Sequence, residues 1–164
     1  MDIFDVITTR TTTFEEYLES IKDIKDINRK GWCTSCSLLQ AAVSNYRVDI
    51  ATDLIENRGI DVNIQDENGN TVLSYFRRNI DIELINKILS KNADVNIKDN
   101  YGNTILWKLI TGTNPSEEFY EFIELLLDKG ADVSSDCNNS DMSAIDFAVL
   151  RKDERLMNLL MKYK

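Results

Sequence analysis

Apolar residues recur three or four positions apart along much of the chain, the spacing that places them on one face of an α-helix. The apolar positions are Ile82, Ile85 and Leu89, then Phe119, Phe122 or Ile123, and Leu126, then Leu156 and Leu159 or Leu160. Near the N-terminus, the same spacing places Ile3, Phe4 and Ile7 on a short helix and Phe14, Tyr17, Leu18 and Ile21 on a second one. The pattern predicts an all-α chain of short amphipathic helices.

The ends of several predicted helices are indicated by the single residues that follow them in the sequence. Gly59 and Gly130 stand where a residue in the left-handed conformation would end a helix, and Asn92 occupies the matching point of another helix. Glycine, followed by asparagine, takes that conformation most readily. We therefore expect helices to end at these three points.

Tight turns and helix starts follow at regular places. Asp-Glu-Asn-Gly at 66–69 and Asp-Asn-Tyr-Gly at 99–102 are typical of turns in which glycine takes the positive φ. Thr71 and Thr104 come two residues later and offer a side-chain oxygen to unpaired amides. Both threonines are predicted to be N-caps.

The chain is internally repeated. DVNIQDENGNTVL at 61–73 returns as DVNIKDNYGNTIL at 94–106, a period of 33 residues. Weaker copies begin at Asp132 and at Ser37, and one equivalent position is held by Leu39, Leu73, Leu106 and Ile145. A period of this length indicates stacked units that bury one another's hydrophobic faces.

The repeated segments resemble the ankyrin repeat, whose TPLHxA motif is matched in part in every copy. The matching residues are Leu39, Ala42, Thr71, Leu73, Thr104, Leu106, Ser143, Ile145 and Ala148. The resemblance implies units of a turn, two antiparallel helices and a loop. The expected fold is an all-α ankyrin-repeat solenoid of about four to five helix-turn-helix repeats with short turn or hairpin fingers.

The chain departs from the motif at three positions. Pro is replaced by Leu38, Val72, Ile105 and Ala144, and His by Gln40, Ser74, Trp107 and Asp146. Phe76 and Leu109 stand where the family prefers a small alanine. These departures predict less rigid helix starts and altered helix spacing.

We expect one ankyrin-repeat domain over residues 1–164. Its predicted units are a degenerate N-terminal capping repeat at 1–27, repeats at 28–65, 66–98 and 99–135, and a C-terminal capping repeat at 136–164. A stack exposes hydrophobic faces at both ends, and charged terminal units keep it soluble.

The last interval between equivalent positions, from Leu106 to Ile145, is longer than one period. The segment 111–119, with sequence TGTNPSEEF, is expected to lengthen the link between the two helices of one unit. An added loop of this kind is either functional or a tolerated surface insertion, and the sequence leaves both open.

The amino-acid composition limits the classes of partner that the chain can bind. The formal net charge is −9, so nucleic acid and anionic membranes are poor partners. The acidity either attracts a basic protein surface or serves solubility. No apolar run approaches the roughly 20 residues of a membrane span, no signal peptide is evident, and three cysteines fit a reducing compartment, so we expect a cytoplasmic chain.

Catalytic chemistry has little support in the sequence. There is no histidine, which removes the commonest general base and metal ligand. Cys33 and Cys36 form a CxxC motif that suits thiol redox chemistry or half of a zinc site, but only Cys137 remains as a further thiol ligand. We expect ordinary reduced thiols, no cofactor, no metal and no enzymatic activity.

The resemblance implies a concave binding face made by the turn tips and the first helices. The candidate residues are Trp32, Glu67, Asn68, Asn70, Tyr75, Arg78, Asn100, Tyr101, Asn103, Trp107 and Lys108. The aromatic residues Tyr101, Trp107 and Trp32 are the leading anchors, because aromatic side chains dominate many interfaces. The alternative for them, and for Trp107 above all, is packing between adjacent repeats.

The segments IDVNIQDENGNTVL, YGNTILWKLI and SDMSAIDFAV are similar to those of small ankyrin immunity proteins of bacterial polymorphic toxin systems, which neutralise a toxin by binding it. The hypothesis is a non-catalytic protein-protein interaction module, monomeric when alone, that inhibits a toxin. A basic toxin domain would be steered onto an acidic cleft. Alternatives are a pathogen effector that binds a host protein, and a CxxC thiol-redox protein.

Overall fold

The computed structural model describes residues 2–31, 35–133 and 142–164. Those parts contain nine α-helices, one 3₁₀ helix and no β-strand, with a single isolated bridge between Lys30 and Ser37. In chain order the helices are α1 Ile3–Thr8, α2 Phe14–Ile21, α3 Leu38–Ser44, α4 Val48–Asn57, the 3₁₀ helix Val72–Arg77, α5 Ile82–Leu89, α6 Ile105–Gly112, α7 Glu117–Asp128, α8 Ala144–Arg151 and α9 Glu154–Met161.

The helices form a two-layer stack. In one layer α1, α3, the 3₁₀ helix, α6 and α8 follow one another, each in contact with the next. The other layer runs α2, α4, α5, α7 and α9 in the same way. Buried apolar residues from every pair form one continuous core between the layers. The expected solenoid is confirmed, while the division into capping and internal units stays a prediction.

The predicted helix ends agree with the backbone. Gly59, Asn92 and Gly130 have φ values of 65°, 58° and 83°. At the turns, Gly69 and Gly102 have φ values of 79° and 80°. At Gly69, a Cβ would also lie 2.7 Å from the Asn100 backbone nitrogen, so the next turn approaches too closely for any side chain.

Only one of the two predicted threonine caps is present. The Thr104 hydroxyl accepts the Trp107 amide at 3.3 Å and starts α6. Thr71 makes no side-chain cap, which corrects the prediction. The helix after Thr71 is a 3₁₀ helix, and the Ser74 amide donates instead to the Thr71 carbonyl at 3.1 Å. This tighter backbone bond takes the place of the hydroxyl.

The extra residues between Leu106 and Ile145 do not lengthen the link between α6 and α7. The links 78–81 and 113–116 both have four residues. Instead, α6 and α7 have 8 and 12 residues, where the 3₁₀ helix and α5 have 6 and 8. The expected lengthening of the link is therefore wrong, because segment 111–119 forms the end of α6, a short link and the start of α7. The choice between a functional and a tolerated insertion stays a prediction.

Three asparagines join neighbouring units in a ladder that the sequence pattern had not singled out. Each side-chain carbonyl accepts the backbone amide of an aspartate about one period later. The pairs are Asn28 with Asp61 at 2.8 Å, Asn63 with Asp94 at 2.8 Å, and Asn96 with Asp132 at 2.9 Å. The ladder holds successive units in register along the stack.

We expect Asn63→Ala to lower the free energy of unfolding by about 1–2 kcal/mol, because one rung of the ladder is lost. Asn63 accepts from Asp94 and donates to the Asn92 carbonyl at 3.2 Å. Urea unfolding followed by circular dichroism measures the change. Asn86→Ala is the control, since exposed Asn86, among the residues that the structure describes, bonds only within its own helix, to Ile82. Equal stability of the two variants would show that the ladder contributes nothing.

None of the helices in the described parts of the chain combines the length and the apolar character that crossing a bilayer requires.

Candidate functional site

A groove of about 660 Å³ lies along the layer that contains α3, the 3₁₀ helix and α6. Its walls are the α3–α4 link, the 3₁₀ helix with its link to α5, and one side of α6. Another depression of about 540 Å³ lies beside it, and the two share four residues, Arg77, Arg78, Asn79 and Gly112. The two hollows thus meet at the end of the 3₁₀ helix.

The turn before the 3₁₀ helix is built around the Asp66 carboxylate. It accepts the amides of Asn68 and Asn70, both at 2.8 Å, and the Tyr75 hydroxyl at 2.9 Å. Burial tends to raise the pKa of Asp66, but the hydrogen bonds from Asn70, Tyr75 and Asn68 outweigh it and lower the pKa. Asn70 and Tyr75 therefore shape the turn from inside.

The turn before α6 repeats this design around Asp99. Its carboxylate accepts the amides of Tyr101 and Asn103, both at 2.9 Å, and the Lys108 ammonium at 2.6 Å. Lys108 also donates to the side-chain carbonyl of Asn70 in the preceding turn. Burial of Asp99 acts to raise its pKa, and the Lys108 hydrogen bond, with those from the turn amides, brings it below its ordinary value. Lys108 joins the two turns.

The tips of the two turns lie side by side and are bonded to each other. The Asn100 amide donates to the Asn68 carbonyl at 3.0 Å, and the Asn100 side chain donates to the Glu67 carbonyl at 2.8 Å. The tips still present exposed side chains, and Tyr101 is 72% exposed. The result is an edge of two bonded turns that carries an exposed aromatic side chain, and the first of these turns lines the groove with Asp66 and Asn70.

A sequence profile of ankyrin repeats in three copies matches residues 38–137, more than half of the chain. The chain belongs to the ankyrin-repeat family. No curated protein sequence matches it. Ankyrin repeats act as protein-protein interaction modules and are generally non-catalytic. The groove and the two turns are therefore the candidate contact surface of this ankyrin-repeat chain.

Trp107 does not lie on that surface. Only 7% of this residue is exposed, and its ring meets Phe147 of α8 edge-on with a centroid separation of 5.7 Å. The prediction of Trp107 as a partner-binding anchor is therefore wrong, because the ring packs between two neighbouring ankyrin repeats. This is the alternative that the sequence had left open.

Gln40 stands where the ankyrin motif has histidine, and it supports the first turn. Its side chain is fully buried and donates to the carbonyls of Ile64 at 3.0 Å and Asn70 at 2.7 Å. Gln40 also accepts the Ser37 amide at 2.7 Å. One amide group thus ties a helix start to the following turn, which explains how the repeat keeps its shape without the histidine.

The structure divides the predicted contact residues into two groups. Exposed at the turn tips or the end of the 3₁₀ helix are Glu67, Asn68, Arg78, Asn100 and Tyr101. Within the scaffold, bonded to the turns or packed between repeats, are Asn70, Tyr75, Asn103, Trp107 and Lys108. Trp32 lies outside the described residues.

Two groove residues had not been singled out from the sequence. Tyr46 is 64% exposed and has a φ of 60°, and Arg47 follows it just before α4. A signal for Arg47 was present, because the equivalent residues Asp81 and Asp153 are both helix caps. An arginine at this position breaks the pattern of the repeat.

The cleft is not acidic, although the chain as a whole is. The groove lining contains four basic side chains against two acidic ones. The basic residues are Arg47, Arg77, Arg78 and Lys108, and the acidic ones are Asp66 and Asp81. The expectation that a basic toxin domain would be steered onto an acidic cleft is therefore wrong in its location: the negative charge lies elsewhere on the chain.

No group of three or more metal-ligating side chains occurs within residues 2–31, 35–133 and 142–164. Cys36 is a half-buried free thiol, and Cys33 and Cys137 fall outside the described residues. The thiol-redox alternative based on the CxxC motif stays an untested hypothesis.

Proposed function

We propose that this ankyrin-repeat chain is a cytoplasmic inhibitor that binds a bacterial toxin through its turn tips and groove and neutralises it by direct contact. The observation that carries the binding role is the edge of two bonded turns, which presents exposed Tyr101 and whose first turn lines a groove of about 660 Å³. The toxin as partner is supported by the similarity of the repeat segments to small ankyrin immunity proteins.

The turns are organised for binding before any partner arrives. Asp66 and Asp99 hold their backbones, and Lys108 joins one turn to the other. Because these contacts already exist, binding would freeze few backbone torsions and lose little conformational entropy. A rigid edge with an exposed aromatic side chain is well suited to tight recognition.

The net charge of −9 supports a basic toxin domain as the partner. Charge of this size accelerates the association of an oppositely charged protein at low ionic strength. The acidic residues that attract it lie outside the groove, so charge would govern the approach of the toxin more than its final contacts. Association should slow markedly as salt is raised.

Replacing Tyr101 by alanine is expected to weaken toxin binding by about 2 kcal/mol, because an exposed aromatic anchor is removed. The free energy of unfolding should stay within about 0.5 kcal/mol of wild type, since the ring is 72% exposed and buries little surface. The binding free energy is measured by titration calorimetry with the toxin obtained by the affinity capture described below. The free energy of unfolding is measured with urea.

Tyr163→Ala is the control, because Tyr163 is also exposed, at 37%, but follows α9 and lies outside the two turns and the groove lining. It should bind like wild type. Unchanged affinity of Tyr101→Ala would exclude Tyr101 as an anchor.

The toxin role is tested by affinity capture from the native host, followed by co-expression in a neutral host. The captured protein should be toxic when expressed alone and harmless when this chain is present. If the captured protein is not toxic, or if the chain gives no protection, the inhibitor proposal is wrong.

A further inference from the structure

Arg77 lies where the groove and the neighbouring depression meet. Its guanidinium lies over Gly112, at the end of α6, so closely that a Cβ there would overlap its Nη2 atom. The Nε atom is buried and has no hydrogen-bond partner in the described parts of the chain, and the side chain makes no ion pair there. This buried Nε–H donor therefore lacks the acceptor that a buried polar group calls for.

Arg47 adds a second guanidinium to the groove. It donates to both Asp49 oxygens, at 3.2 and 3.0 Å, while its Nη1 atom is buried without a partner among the described residues. It also precedes α4, at a position where the repeat elsewhere has Asp81 or Asp153 as a helix cap. An arginine cannot accept the free amides, and its charge is unfavourable at the positive end of a helix. Helix capping therefore does not explain this choice of residue.

The acidic residues of the lining are already occupied by the fold. Asp66 accepts two turn amides and the Tyr75 hydroxyl, and Asp81 accepts the Leu84 amide at 3.0 Å as the cap of α5. Within the described residues, neither Arg77 nor Arg78 has a carboxylate of its own. Among the described residues, the groove thus carries positive charge that no carboxylate of the lining neutralises.

We propose that this groove binds a carboxylate of the partner protein, from an aspartate or glutamate side chain in an extended segment. Arg77 is its main ligand, Arg78 contacts it at the groove mouth, and Arg47 adds positive charge. The inference rests on the proposed function and names the chemistry of the partner segment. The guanidinium fork matches a carboxylate in shape and charge.

A single carboxylate suits this site better than a polyanion. With a net charge of −9, the chain would repel a nucleic acid or an anionic membrane over distances beyond the groove. One acidic side chain on an otherwise basic or neutral protein avoids that repulsion. Exposed Tyr46 and Val48, on the same side of the groove as Arg47, provide apolar contacts for its neighbours.

The test uses a fluorescent, blocked heptapeptide of sequence Gly-Ser-Glu-Leu-Glu-Ser-Gly, with a control peptide that has glutamine in place of both glutamates. Fluorescence anisotropy should show binding of the acidic peptide only. In ¹H–¹⁵N correlation NMR spectra, the side-chain Nε–H signals of Arg77 and Arg47 should shift during the titration. Arg77→Gln should weaken binding about tenfold or more, because a charge-assisted hydrogen bond is lost.

Two variants make the result specific. Arg10→Gln changes the net charge equally but lies between α1 and α2, and it should bind like wild type. Gly112→Ala keeps the Arg77 charge but displaces its guanidinium, and it should weaken binding while the helix is at least as stable, since alanine favours helix more than glycine. Equal binding by wild type and Arg77→Gln, with unmoved Arg77 signals, would overturn the proposal.

The same variants separate this inference from the proposed function. If Arg77→Gln binds and neutralises a captured toxin as well as wild type does, the carboxylate site is wrong while the inhibitor role stands. If no captured protein is neutralised although the acidic peptide binds through Arg77, the toxin role is wrong and the carboxylate site stands.

Discussion

Replacing Trp107 by alanine is expected to destabilise the chain by about 3–5 kcal/mol, the range for truncating a buried aromatic side chain to alanine. Trp107 retains 7% of its surface and fills the space between α6 and α8, where it meets the Phe147 ring. In a stack, each repeat is stabilised only by its neighbours. A cavity at this contact should therefore loosen the C-terminal helices first.

Urea unfolding of the Trp107→Ala variant, beside Tyr101→Ala, measures this effect. The second variant should unfold like wild type, because Tyr101 is exposed. Hydrogen exchange should show the loss of protection concentrated in α8 and α9. A Trp107→Ala variant with wild-type stability and reduced partner affinity would restore Trp107 as a binding anchor and contradict its packing role.

Asp53→Ala is expected to lower the free energy of unfolding by about 3 kcal/mol. The buried Asp53 carboxylate accepts the Tyr17 hydroxyl at 2.8 Å, the Asn57 amide at 2.9 Å and the Arg58 guanidinium at 2.8 Å. Its removal leaves the fully buried Tyr17 hydroxyl without an acceptor and Arg58 without its counter-ion. The value lies at the low end for a broken buried pair, because the Arg58 side chain keeps 32% of its surface in water.

This contact should also make stability depend on pH. Burial alone would raise the pKa of Asp53, but hydrogen bonds from Arg58, Asn57 and Tyr17 outweigh it and hold the pKa below the ordinary 3.8. The folded state thus favours the ionised carboxylate, so its contribution is complete above the unfolded pKa and is lost as pH falls through the lower, folded one.

The measurement is the difference in unfolding free energy between wild type and Asp53→Asn at pH 7 and at about pH 3. We expect wild type to be the more stable at pH 7 and the difference to shrink at the lower pH, where Asp53 of the unfolded chain binds a proton more readily than Asp53 of the folded chain. A difference that is equal at both pH values would show that the Asp53 charge does not stabilise the fold. Asp61→Asn, at an exposed aspartate, serves as the control.

Local sequence determined the repeating part of this protein. The period of 33 residues, the amphipathic helices and the ends at Gly59, Asn92 and Gly130 follow from apolar spacing and from residues that accept a positive φ. The turn aspartates also act within a few residues, since Asp66 and Asp99 bond the amides just after them. Such features can be predicted because their causes lie close together in the chain.

The contact surface was decided by tertiary structure. Trp107 packs against the ring of Phe147, which lies 40 residues away in the sequence. Thr71 makes no side-chain cap, because a 3₁₀ helix follows it. The Arg77 guanidinium lies over Gly112 of the next repeat, where it lines the groove. A sequence pattern shows which residues share a helix face, but not which neighbour covers that face. Exposure, and with it the choice between a binding residue and a packing residue, depends on contacts between repeats, and these exist only once the stack has formed.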